Sequence, residues 1–184
     1  PVEDVVDDPI TRIEIGPRRH PGIPTPPRLY GPERRNSTGL DLSQKAVRDS
    51  MDSALKSFRD SPAISAGAIV SGKADTGGGD MVRVPFDTEH VLGACKEASP
   101  EAIDKALKAA VKFQPSWDKL GGAKRAEHLR AMSDILEENA SRLIALMSRE
   151  GGKTLADGVA EVREAVDFCR YYAAQAEHEF EGAV

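Results

Sequence analysis

The run Arg149-Glu150-Gly151-Gly152-Lys153-Thr154, followed by Ala160-Glu161-Val162-Arg163-Glu164-Ala165-Val166-Asp167-Phe168, decides how the rest of the chain is read. It contains one helix end and one helix start. Gly151-Gly152 is a glycine C-terminal signal. Thr154 and Asp157 stand at capping-box spacing, with Asp in place of the preferred Glu. Beyond the cap, Leu155, Val159, Val162, Val166, Cys169, Ala173 and Ala176 recur at alternating steps of four and three, the buried stripe of a long amphipathic helix. Gly152-Lys153-Thr154 also imitates the end of a phosphate-binding loop. Such a loop needs a glycine five residues earlier, so that backbone amides surround the phosphates, and Met147 occupies that place. The helix stop and restart is the reading that stands.

Working back from this junction, Leu143, Ile144 and Met147 mark a preceding helix, and Ala126, Leu129, Met132 and Leu136 mark one over 123–139. Ser99 caps a further helix with Pro100 at its first position; it is expected to bury Ile103, Ala106, Leu107, Ala110 and Phe113 and to end at Pro115. Trp117, the one Trp, is expected to plug the gap between helices. Residues 61–95 hold three β-prone runs, 63–70, 81–84 and 90–94, read as a small antiparallel meander. Gly77-Gly78-Gly79 has no following helix or Lys and reads as a hairpin loop. Ser43 starts a helix over 43–60, with Val47, Met51, Ala54, Leu55 and Phe58 on one face and Pro62 stopping it. Residues 1–42 differ in kind. The acidic Glu3–Asp8 stretch reads as the end of something upstream. Pro17, Pro21, Pro24, Pro26, Pro27 and Pro32 then predict a stiff extended connector. The first residue is Pro rather than Met, so a fragment of a longer protein is expected.

The formal charge of −5, with both signs interspersed, argues against a nucleic-acid surface, and Arg18-Arg19-His20 is too short a basic cluster to alter that. No apolar run approaches the ~20 residues of a membrane span, and no signal peptide is visible. Cys95 and Cys169 lack metal or redox spacing, which fits a reducing cytoplasm, and neither has a neighbouring base. His20, His90, His128 and His178 are scattered and read as surface. Glu164 is the carboxylate of interest. Its helical neighbours are Ala160, Glu161, Asp167 and Phe168, none a cation, whereas Arg163 and Arg170 can each reach Asp167. Glu164 shares a stripe with Phe168, Tyr171 and Gln175. It therefore either awaits a cationic group or belongs to a solvated acidic face, and spacing alone favours the latter.

The Arg149–Thr154 and Ala160–Phe168 motifs, with Tyr171-Tyr172-Ala173, resemble the amino-terminal helices of glutamate-semialdehyde dehydrogenases in the aldehyde dehydrogenase superfamily. Val91-Leu92-Gly93, Ser99-Pro100 and Trp117 fall where that family has a hairpin, a helix start and a Trp. His20-Pro21, Pro27-Arg28-Leu29-Tyr30-Gly31 and Arg35-Asn36-Ser37-Thr38-Gly39-Leu40-Asp41-Leu42 are similar to the connector of proline utilisation A proteins, in which a flavin-dependent proline dehydrogenase barrel precedes the aldehyde dehydrogenase. Gly151 and Thr38 stand where Ala is usual, and the loop 72–80 follows no familiar pattern.

The resemblance implies an α/β parent with a Rossmann-type NAD-binding domain, of which this stretch is mainly α-helical with a small antiparallel meander. It implies a bifunctional oxidoreductase that uses FAD and NAD to convert proline to glutamate. The remainder of the same polypeptide and glutamate semialdehyde would be its partners, and a homo-oligomer its assembly. A cytoplasmic location is implied, peripheral at the inner membrane. The family's catalytic Cys, general-base Glu and both cofactor sites would lie outside residues 1–184, so no catalytic, cofactor-binding or metal residue is expected here. The implied role is to link the halves, line the aldehyde tunnel and, through Glu164, contact the substrate's α-ammonium. A monofunctional semialdehyde dehydrogenase and a non-enzymatic helical interaction module are the alternatives. The part-of-an-enzyme reading predicts exposed apolar stripes on this chain, and the self-standing module does not.

Overall fold

The computed structural model describes residues 2–6, 8–16 and 20–181. Pro1, Pro17, Arg18 and Arg19, which figure in the readings above, lie outside them, as does Asp7 of the acidic stretch. The chain divides into two compact units, up to Asn36 and from Ser37 onward.

The first unit has its helices ahead of the proline run and one short turn within it. It holds two short helices, α1 (Val2–Val5) and α2 (Pro9–Ile15), and a 3-10 turn at Pro26–Arg28. Asp8 is the reason for α2: its carboxylate accepts from the backbone N–H of Ile10 (3.2 Å) and Thr11 (3.3 Å), with Pro9 at the first helical position. Arg34 stacks over the Tyr30 ring at 3.7 Å, and Tyr30 and Arg34 form a lone β-bridge.

The second unit carries α3 (Lys45–Arg59), β1 (Ile64–Gly67), β2 (Ile69–Val70), β3 (Lys73–Ala74), β4 (Asp80–Val84), β5 (Asp87–Lys96), α4 (Pro100–Asp118), α5 (Gly121–Glu138), α6 (Ala140–Gly151) and α7 (Leu155–Glu179). Helix content, order and approximate boundaries follow the sequence reading. Ser43 does not cap α3. Its hydroxyl turns back to Asp41 Oδ1 at 2.6 Å, and Gln44 is the capping residue, with no side-chain bond to the helix N–H groups.

The sheet is only partly the expected meander. β4 and β5 form an antiparallel hairpin with Val82 opposite Gly93, and β2–β3 is a second antiparallel pair. The run 63–70, however, splits in two. Its first half, β1, pairs parallel to β5, giving the order β1-β5-β4. The split comes from a turn at Ser71-Gly72, both with positive φ (52° and 76°), which folds β2 onto β3 as a separate ribbon. That excursion lets the chain return to the far side of β5, so β1 and β5 run in the same direction.

Two apolar clusters hold this unit together. Met51, Ile144, Val162 and Val166 join α3, α6 and α7. Phe58, Val84, Leu92 and Ala145 join the end of α3 to the sheet and α6. Three expectations are corrected. Pro115 does not end α4, which runs on to Asp118; the ring's fixed φ is itself helical, so the turn continues without the one bond that an N–H there would make to Val111. The expected stripe of α4 is not buried, since Ile103, Leu107 and Phe113 are 51%, 61% and 59% exposed. The side chain of Trp117 does reach between helices, its ring 5.4 Å from that of His128 on α5. On α5 the inward residues are Gly122, Ala126 and Ser133, while Met132 is exposed, because α7 approaches one position round from the face that hydropathy marks.

Candidate functional site

The long helix α7 has two working faces. Its start is built as the sequence predicts: Gly152 closes α6 in the left-handed conformation (φ 67°), and Thr154 Oγ1 accepts from the N–H of Asp157 at 3.2 Å. Asp157 is too short to reach back to the cap's own N–H as Glu would, and its carboxylate instead accepts the Thr154 hydroxyl at 2.7 Å. Lys153 pairs with Glu161. The glycine-lysine-threonine run is thus a helix junction, and its lysine is engaged within it.

The inner face of α7 buries Gly158, Val162, Val166, Arg170 and Ala173. Arg170 is the surprise, because sequence spacing directed it only toward Asp167. Its guanidinium crosses to α5, donating to Glu137 Oε1 (3.3 Å) and Oε2 (2.8 Å), to Asp134 Oδ1 (3.3 Å) and to Ser133 Oγ (3.2 Å). Glu137 and, from α7 itself, Asp167 hold the start of the second unit. Ser37 donates its N–H and hydroxyl to Asp167 at 2.8 and 2.7 Å, Thr38 donates its N–H to Glu137 at 2.6 Å, and Arg163 Nε reaches Ser37 Oγ at 3.3 Å. A second bidentate pair, Arg130 with Glu177, closes the far end of the α5–α7 seam.

This clamp fixes a titration. Burial pushes the Glu137 carboxyl up, but the hydrogen bonds from Arg170 and Thr38 and the charge of Arg170 outweigh it and bring the group down to about 2. A carboxyl lowered on folding stabilises the protein above its unfolded value, and that contribution disappears as pH falls through the folded one. The stability gap between wild type and Glu137→Gln should therefore be widest above about pH 5, at roughly 2 kcal/mol, and close between about pH 4.5 and 2. Denaturant midpoints of the two proteins across that range read the effect; a gap that stays constant with pH would show that the ionised carboxylate is not what Arg170 and Thr38 stabilise.

The outer face carries Glu164. It is exposed and makes no hydrogen bond or ion pair among the described residues. One turn on stands Phe168, half exposed, whose ring lies 6.1 Å from that of Tyr172; Tyr172 in turn meets Tyr171 edge-on at 5.2 Å. The result is a carboxylate at one end of an aromatic strip, the arrangement that receives an organic cation. Sequence reading found Glu164, Phe168 and Tyr171; it missed Tyr172 as part of the strip, though its spacing four residues after Phe168 was there to be read.

The other candidates are not brought together. Cys95 is exposed on the sheet, while Cys169 is half-buried and its thiol is pushed up by burial, against a smaller lowering from Arg170. His20 accepts from the N–H of Gly22, and His128 stacks on Trp117. Among the described residues, no group of three or more His, Cys, Asp or Glu could hold a metal ion, and no helix is long and apolar enough to cross a membrane.

The aldehyde dehydrogenase family model matches residues 75–184, which takes in the β4–β5 hairpin and the helices α4 to α7. The chain belongs to the aldehyde dehydrogenase family. Within it, similarity extends over nearly the whole chain to the bifunctional protein PutA of Escherichia coli, 35% identical over 98% of this chain and 14% of that protein. The crystal structure of proline utilization A from Bdellovibrio bacteriovorus superposes with a TM-score of 0.79 at 26% identity, covering 97% of this chain and 18% of that one. The 1-pyrroline-5-carboxylate dehydrogenase of Thermus thermophilus gives 0.75 at 26% identity, covering 82% of this chain and 29% of that one. The chain therefore spans under a third of the length of each of these relatives.

Proposed function

We propose that this chain is the linking segment and first helices of the aldehyde dehydrogenase half of a bifunctional proline-catabolic enzyme. In such an enzyme a flavin oxidises proline, the ring product hydrolyses, and NAD oxidises the open semialdehyde to glutamate. The observation that carries the reading is coverage. Likeness to PutA runs through 98% of the chain, including residues ahead of the family model, whereas the 1-pyrroline-5-carboxylate dehydrogenase of Staphylococcus aureus aligns with 77%. Exposed Ile103, Leu107, Val111 and Phe113 on α4 are what a segment lying against further protein predicts, and they count against a self-standing helical module. On this reading FAD and NAD are held by other parts of the parent, which is cytoplasmic, peripheral at the inner membrane and a homo-oligomer. The full-length polypeptide, given proline, a soluble quinone to reoxidise the flavin, and NAD with no other enzyme, should accumulate NADH and glutamate. NADH from the semialdehyde but none from proline would favour the monofunctional alternative.

Within that function Glu164 lines the aldehyde tunnel and pairs with the α-ammonium of glutamate semialdehyde, with Phe168 and the tyrosines presenting π faces to the same cation. Losing a charge-assisted hydrogen bond of about 1.5–3 kcal/mol predicts that Glu164→Gln lowers kcat/KM for the semialdehyde by about 10- to 100-fold. Activity on a simple aliphatic aldehyde should hold. If both substrates fall together, or neither does, Glu164 does not read the ammonium group.

A further inference from the structure

Where the loop after α3 meets the first half of β5 and the last turn of α6, a cavity of about 90 Å³ opens between Arg59, Ser61, His90 and Arg149, on a floor that includes Phe58 and Leu92. Its charge is one-sided: two Arg and a His line it, and no Asp or Glu does. Arg59 Nε has an acceptor, Asp60 Oδ1 at 3.0 Å, on a largely exposed pair. Arg149 does not. Its Nε is buried and, among the described residues, has no hydrogen-bond partner. Guanidinium cannot lose its proton to escape this, and a buried N–H without an acceptor is an unfavourable arrangement that a polypeptide avoids where nothing is gained by it. The place of Arg149 in the last turn of α6 suits its charge, but the helix dipole supplies no acceptor to Nε. Phe58 and Leu92, both buried in the second core cluster, keep the floor apolar, which strengthens any charge-assisted bond made above it.

We propose that this cavity is a binding site for a small oxyanion, a phosphate or the carboxylate of a small acid. The two terminal nitrogens of the Arg149 guanidinium receive it end-on, with the sealed Nε behind them, and Arg59 and the His90 imidazole line the rest of the wall. Arginine suits such a role because two parallel N–H bonds match two oxygens of one anion. A volume of about 90 Å³, roughly three waters' worth, admits a single such group and no nucleotide.

The test is thermal melting of the full-length polypeptide in sodium phosphate and in sodium acetate, each against sodium chloride at matched ionic strength, with wild type and Arg149→Met. A ligand that binds only the folded protein raises Tm in proportion to occupancy. Wild type should show a saturable rise with phosphate or acetate beyond that with chloride, and the better ligand identifies the class of oxyanion. Arg149→Met should weaken that response at least tenfold. Without added oxyanion its Tm should match or exceed that of wild type, because it removes an N–H that lacks an acceptor. Phosphorus NMR line broadening of phosphate by wild type, absent with Arg149→Met, gives a second reading that does not depend on melting. A response that survives Arg149→Met, or none beyond chloride, overturns the proposal.

Discussion

Arg170→Ala is expected to lower the stability of the protein by about 3 kcal/mol, the low end of what breaking a buried ion network costs. Its side chain is 6% exposed, and it is the common partner of Glu137, Asp134 and the Ser133 hydroxyl. Glu137, only 16% exposed, would keep the Thr38 N–H but lose its counter-charge. Much of the cost is therefore the stranded carboxylate, not the bond itself. This distinction can be measured. Arg170→Met combined with Glu137→Met should be less destabilised than the sum of the single changes by more than about 1 kcal/mol, because neither charge is then left alone. Arg170→Lys should recover less than half of the loss, since an ammonium cannot span both Glu137 oxygens. Denaturant unfolding reads all five variants, and additive single changes would mean that Arg170 and Glu137 act independently.

Gly122→Ala is the second large expected effect, and here two terms of opposite sign compete. In an unobstructed helix the change would gain up to about 1 kcal/mol. At this position a Cβ would stand 2.2 Å from the carbonyl oxygen of Ala176 and 2.8 Å from Phe180 Cβ. The oxygen is backbone and cannot rotate aside, so α5 and α7 must separate, and overpacking of this kind costs about 1–3 kcal/mol. The clash wins, with a net loss of about 2 kcal/mol expected in the unfolding midpoint. Gly151→Ala is the control. It lies at the end of α6 with nothing within 4 Å of the added carbon, and should be neutral or slightly stabilising. If Gly122→Ala also proved neutral, the two helices would not meet as closely as described.

These two residues show where sequence reading reaches and where it stops. Arg170 and Gly122 are the main joints of the α5–α7 seam, yet neither stands out in the chain. Arg170 sits among alternating charges, where the three- and four-residue rule offered Asp167 as a partner in the same helix. Its partners on α5 lie 33 to 37 positions away, and those of Asp167 lie 130 away at Ser37. Glu164, by contrast, was legible, because its isolation from cations and its neighbour Phe168 are both local facts of one helix. The Arg149 cavity was not. It assembles from three segments whose separate residues carry no pattern.

The succession of helices, the caps at Ser99 and Thr154, the left-handed stop at Gly152 and the family motifs could be read from sequence because each depends on residues within one or two turns of each other. The tertiary structure alone decided that β1 runs parallel to β5, that Ser133 and not Met132 faces inward, that the apolar stripe of α4 stays open, and that Arg170 is buried. Periodicity announces that a helix has an apolar side. Which atoms leave water depends on what comes to lie against it, and that is set by distant segments meeting in space.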